Sequence, residues 1–153
     1  MATAGGTPFL VFRLGEKLGA LPISDVDETM RPLPIEPLAS AADGVLGLAV
    51  IRGAPTPVLD AGRLIAGTAK PHARFIVVRV GERRVALAVE DVLGVRALEV
   101  ASLRALPPLL ANGERSALGA LATLDSDLLL VLEGARLVPE AVETALESVK
   151  DDS

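Results

Sequence analysis

The chain has 153 residues, half of them hydrophobic, with a formal charge of −5, three Phe, and no Trp, Tyr or Cys. That length suits one domain with a core built from Leu, Val, Ile and Ala. Without cysteine there is no disulfide, thiolate metal site or cysteine nucleophile, and without a basic cluster there is no attractive field for nucleic acid or an acidic membrane surface.

The opening "MATAGGTP" has neither a basic start nor an apolar segment, so it reads as a flexible tail over 1–7 and not as a signal peptide. The longest apolar runs, such as "LLLVL" at 128–132, fall far below the roughly 18 residues of a membrane span. A soluble, cytoplasmic protein is expected. From residue 9 the run "FLVFRL", the turn "GEK" and the run "LGALPI" predict a β-hairpin. "SDVDETM" follows, and then "RPLPIEPL", whose closely spaced prolines exclude a regular helix. The stretch "GLAVIRGAPTPVLD" at 47–60 predicts strands at about 45–52 and 56–60 around a proline-punctuated turn, with Arg52 ending the first strand. "AGRLIAG" reads as a short helical turn ending in glycine, and "TAKPHA" as a polar link.

After that link the pattern restarts. "FLVFRLGEKLGALPISDV" at 9–26 aligns without gaps to "FIVVRVGERRVALAVEDV" at 75–92, with nine identities in eighteen positions. A second correspondence joins "VLDAGRLI" at 58–65 to "VLEGARLV" at 131–138, so the offset grows from 66 to 73. Two copies of one β unit therefore fill most of the chain. Each copy has about four or five short strands, a number suited to a small barrel that closes its own edges. Beyond the second copy, "ARLVPEAVETALESV" spaces Leu137, Val138, Ala141, Val142, Ala145, Leu146 and Val149 as one face of a C-terminal helix. The expected organisation is a single domain over 8–150 made of two barrels, with tails at 1–7 and 151–153.

Chemistry-bearing patterns are sparse. The sole histidine, His72, has no second histidine for a metal site and reads as a solvated loop residue. Asp60, Asp125 and Asp127 fall where hairpins need turn or strand-end polar residues. No P-loop or dinucleotide fingerprint follows a strand. No catalytic residue, metal ligand or cofactor is assigned. The repeat, however, serves as an internal control, because whatever a barrel requires should occur in both copies. Arg52 and Gly53 fall opposite Asp125 and Ser126, and "DET" at 27–29 falls opposite "LGV" at 93–95. Both polar departures lie in copy one. An exposed ion pair contributes little to folding, whereas arginine is enriched at interface centres, so recognition is the better reason for them.

Three stretches carry a resemblance to a known family: "FLVFRLGEKLGALPISDVDETM", "GVLGLAVIRGAPTPVLD" and "ALGALATLDSDLLLVLEGARLV". In order and spacing they are similar to the opening hairpin with its valine-x-glutamate segment, the Arg-Gly signature and the closing hairpin of the CheW family of chemotaxis coupling proteins. The resemblance spans essentially the whole chain. It implies a mainly β fold of two intertwined five-stranded SH3-like barrels with a C-terminal α-helix. It also implies a non-catalytic adaptor in two-component signalling, without a cofactor, that couples chemoreceptor tips to the regulatory domain of the histidine kinase CheA. Such an adaptor would reach the membrane only through its partners. Carried over by position, Val26, Asp27, Glu28, Arg52 and Gly53 would face receptor or kinase, and Arg104, Leu109 and Leu110 of "LRALPPLL" the kinase or a ring contact. Two departures bear on partner preference: Val50 replaces the signature asparagine, and "DAG" at 60–62 replaces "DLR". A small-ligand binder or enzyme using a groove between the barrels is the competing reading.

Overall fold

The computed structural model describes residues 7–39, 44–63, 72–98, 104–105, 118–124 and 127–132. The expected C-terminal helix, the asymmetric turn at 125–126, and Leu109 and Leu110 lie outside these residues. Of Arg104 the backbone alone is described.

The duplicated hairpins form as expected. Strands β1 (Thr7–Leu14) and β2 (Lys17–Pro22) pair with Phe9 opposite Pro22 and Leu14 opposite Lys17. Sixty-six residues on, β6 (Arg74–Val80) and β7 (Arg83–Val89) pair with Phe75 opposite Ala88 and Val80 opposite Arg83, which is the same register. Gly15 and Gly81 both turn the chain at φ 65°, a conformation open to glycine at no steric cost. A short 3-10 turn over Ile23–Asp25 leads from β2 into β3 (Val26–Met30), and β7 leads into β8 (Asp91–Leu98). Both of these strands carry a β-bulge at the equivalent place, between Val26 and Glu28 and between Val92 and Gly94.

The remaining strands repeat at the offset of 73. Strands β4 (Val45–Ile51) and β5 (Ala54–Asp60) pair as β10 (Leu118–Leu124) and β11 (Asp127–Leu132) do, with register shifts at Val45/Gly47 and at Leu118/Ala120. One boundary differs from expectation. The β4–β5 turn is Arg52-Gly53, not the proline segment, and Pro55 and Pro57 lie inside β5. They fit because Leu48, opposite Pro57, directs its N–H and C=O to Glu36 on its other side (2.9 and 2.7 Å). Pro57, and Pro55 two residues before it, thus fall at ladder positions where no N–H is needed.

The copies are intertwined. A five-stranded sheet has the order β3-β6-β7-β5-β4, and the other sheet the order β8-β1-β2-β11-β10-β9, with β9 the pair Arg104–Ala105. Each copy's first hairpin therefore completes the other copy's sheet, through parallel pairing of β5 with β7 and of β2 with β11. The five-stranded sheet closes where Glu36, beyond β3, bridges Leu48 of β4. Strand β9 is the counterpart of that bridge, since Arg104 lies opposite Leu121 and Leu121 is Leu48 plus 73. The sixth strand is thus a slightly longer closure of an otherwise five-stranded barrel.

Because the hairpins are shared, both of their faces are buried, which explains their unbroken apolar runs. Phe75, Val77, Ala86 and Ala88 fill the first barrel with Ala49, Ile51 and Val58. Phe9, Val11, Leu18 and Ala20 fill the second with Leu98 and Val131. Leu10, Phe12, Leu14 and Leu21 meet Ile76, Val78, Val85, Leu87 and Val89 in a third layer, between the barrels. Equivalent positions there exchange volume. Phe12 faces Gly19 across the first hairpin, whereas Val78 faces Val85 across the second.

Candidate functional site

The sequence singled out Glu28 and Arg52, 24 residues apart, and the fold brings them together. Glu28 lies just after the β3 bulge, where Asp27 is the extra residue. The bulge belongs to both copies, but only copy one places two carboxylates on it; copy two has Leu93 and Gly94. Arg52 occupies the first position of the two-residue β4–β5 turn with φ 51°, and Gly53 follows with φ 81°. Two positive φ angles define a type I′ turn, which favours Asn-Gly or Gly-Gly. Arg52 is the single non-glycine residue with positive φ among the described residues. Backbone outliers of this kind concentrate at functional sites.

The two side chains form a fork-to-fork ion pair. The Arg52 Nε–H donates to Glu28 Oε2, and Nη2 donates to Oε1 at 2.9 Å. The Arg52 side chain remains 67 % exposed and the Glu28 side chain 23 %. The hydrogen bond from Arg52 lowers the Glu28 pKa from 4.5, against a partial opposing effect of burial, and the charges of Arg52 and Arg84 add to the lowering. Conversely, the bond to Glu28 and its charge raise the Arg52 pKa. Both groups are therefore ionised throughout the neutral range. Beside them Asp27 meets Arg84 of β7 at 3.4 Å. The result is an exposed surface of two carboxylates and two guanidinium groups spanning β3, β7 and the β4–β5 turn. Val26, by contrast, is half-buried and packs against the layer between the barrels.

Arg84 was missed in the sequence, although the repeat held its signal: the position opposite it in copy one is Leu18. A second pair corrects the reading of His72. Asp60 stands at a strand end as expected, yet it is only 3 % exposed. Its Oδ1 accepts the Arg63 N–H at 3.1 Å, capping the helical turn at 61–63, and its Oδ2 lies 3.1 Å from His72 Nε2. His72 is therefore a half-buried partner of a buried carboxylate and not a solvated loop residue. The pair clips together the two ends of the link between the copies. Among the described residues no three His, Cys, Asp or Glu side chains converge on a possible metal position, and no helix is long and apolar enough to cross a membrane.

Three comparisons agree with this architecture. The scaffolding protein TtCheW from Thermoanaerobacter tengcongensis superposes with a TM-score of 0.74 over 84 % of this chain and 89 % of its own, at 22 % identity, which shows a shared fold. The chemotaxis protein CheW of Rhizobium meliloti (strain 1021) is 27 % identical over 134 residues, 86 % of each chain. The CheW family model, a CheW-like domain, matches residues 8–142, so a chain of two hairpin-exchanged barrels with an arginine-glycine turn between β4 and β5 belongs to the CheW-like domain family.

Proposed function

We propose that this chain is a non-catalytic adaptor that couples chemoreceptor cytoplasmic tips to the regulatory domain of a CheA histidine kinase, with the Glu28–Arg52 surface as one of its docking sites. The carrying observation is the Arg52 side chain. It is held in a fixed orientation by a bidentate carboxylate, on a backbone conformation that disfavours a non-glycine residue, in the one copy of the repeat that has it. A turn built only for folding would carry Asn or Gly at that position. Glu28 engages Nε and Nη2, so Nη1 is left outside the pair and can meet an acceptor on a partner without the guanidinium being reoriented. Asp27 and Gly53 flank the pair on the same strand or turn and belong to the proposed surface; Val26, half-buried behind them, is assigned to it by family resemblance alone, as Arg104, Leu109 and Leu110 are to kinase or ring contacts.

The test is Arg52→Asn, chosen because Asn accepts the left-handed conformation several-fold more readily than most residues. Its melting temperature should stay within about 2–4 °C of wild type. Affinity for a receptor-tip fragment or for the kinase regulatory domain from the same genome should fall roughly five- to thirty-fold. Unchanged affinity for both partners, with an intact fold, would remove this surface from the docking assignment.

A further inference from the structure

We infer that Val50 sets the partner chemistry of the Glu28–Arg52 surface, making it a site for an aliphatic side chain placed next to a hydrogen-bond acceptor. The inference rests on the docking role proposed above for Arg52. Val50 is on the outer face of β4, two residues before Arg52, between the inward-facing Ala49 and Ile51. At 66 % exposure it is one of two large hydrophobic side chains that stand exposed among the described residues. Across the hairpin its neighbour is Pro55, which is also exposed, as is Ala54. An isolated exposed valine needs no explanation. This one is different because exposed apolar side chains sit on both strands of one hairpin, and among the described residues β4 is met on its outer edge by Glu36 alone, at Leu48. An apolar edge invites unwanted strand pairing, and charge is the usual remedy there.

The charges beside it point to the same partner. Asp27 and Glu28 are matched by Arg84 and Arg52, so the patch has no net charge with which to attract a strongly charged partner. What it offers is exposed apolar side chains at Val50, Ala54 and Pro55, flanking in sequence a turn whose Arg52 keeps Nη1 outside its ion pair with Glu28. Its complement is a Leu, Ile, Val or Met side chain next to a carboxylate or backbone carbonyl, the arrangement on the face of an amphipathic helix that carries an acidic residue one turn from an aliphatic one.

The experiment compares the full-length wild type with Val50→Thr, Val50→Ile and Arg52→Asn. Each is titrated calorimetrically with the receptor-tip fragment and with the kinase regulatory domain from the same genome. Threonine keeps the shape and β-branching of valine and changes only its polarity. The expected result is a roughly three- to ten-fold loss for Val50→Thr toward at least one partner, with a less negative heat-capacity change on binding, and equal or tighter binding for Val50→Ile. If Val50→Thr binds both partners within about two-fold of wild type while Arg52→Asn is weakened, the docking surface stands and the role of Val50 is refuted. If neither variant loses affinity, the docking surface falls, and this inference with it.

Discussion

The exchange of volume between Phe12–Gly19 and Val78–Val85 gives the sharpest test of the claim that the two hairpins are one structure used twice. A Cβ added at Gly19 would lie 2.4 Å from the Phe12 ring carbons Cε2 and Cζ. Carbon contacts are comfortable at about 3.5–4.0 Å, and Phe12 is wholly buried, so its ring has no solvent into which to retreat. Gly19→Val should therefore destabilise by about 1–3 kcal/mol or more through overpacking. Phe12→Val removes ring atoms from the layer between the barrels and leaves a void, costing about 2–3 kcal/mol. The double variant installs at 12 and 19 the very pair that packs at 78 and 85. Its loss should be smaller than that of either single variant, which corresponds to a coupling of about 2–4 kcal/mol. Urea unfolding of the four proteins at constant m would measure it. Losses that simply add would show that the two hairpins are alike in backbone only, and that the layer between the barrels cannot accept one copy's packing in place of the other's.

Glu28 predicts an acid limb. Its pKa is lowered in the folded state, so its contribution to stability is complete above its ordinary value of 4.5 and is lost as pH falls through the lower folded value. The melting-temperature gap between wild type and Glu28→Gln should accordingly be constant at neutral pH and close in acid; a gap that does not vary with pH would mean that the ion pair is not formed in solution. Asp60→Ala removes both the cap of the turn at 61–63 and the partner of His72, and should cost about 1–2 kcal/mol in chemical denaturation. Asp60→Asn keeps an acceptor at the cap and should cost less than half as much, so equal losses for the two variants would place the effect in the contact with His72.

The backbone repeat was legible in the linear chain because the alignment of 9–26 with 75–92 has no gap. A hairpin's register depends on local turn geometry, which the Gly-Glu turns specify in both copies. Glu28 and Arg52 were legible for a related reason: a duplicated fold states its own requirements twice, so polar residues present in one copy stand out. Pairs made by the tertiary fold were not legible. Asp27–Arg84 forms only once the second copy's first hairpin has crossed into the first copy's sheet, and Asp60–His72 only once the two ends of the link are brought together; neither periodicity nor turn chemistry reports either step. The same limit applies to Val50. In the run "LGLAVIRG" every side chain before Arg52 is apolar or absent, so the run shows a strand without showing which residues point outward. Closure of the barrel over Ala49 and Ile51 leaves Val50 on the outside. Local sequence thus determined strands and turns, whose energetics are local, while long-range strand pairing decided which side chains share a surface.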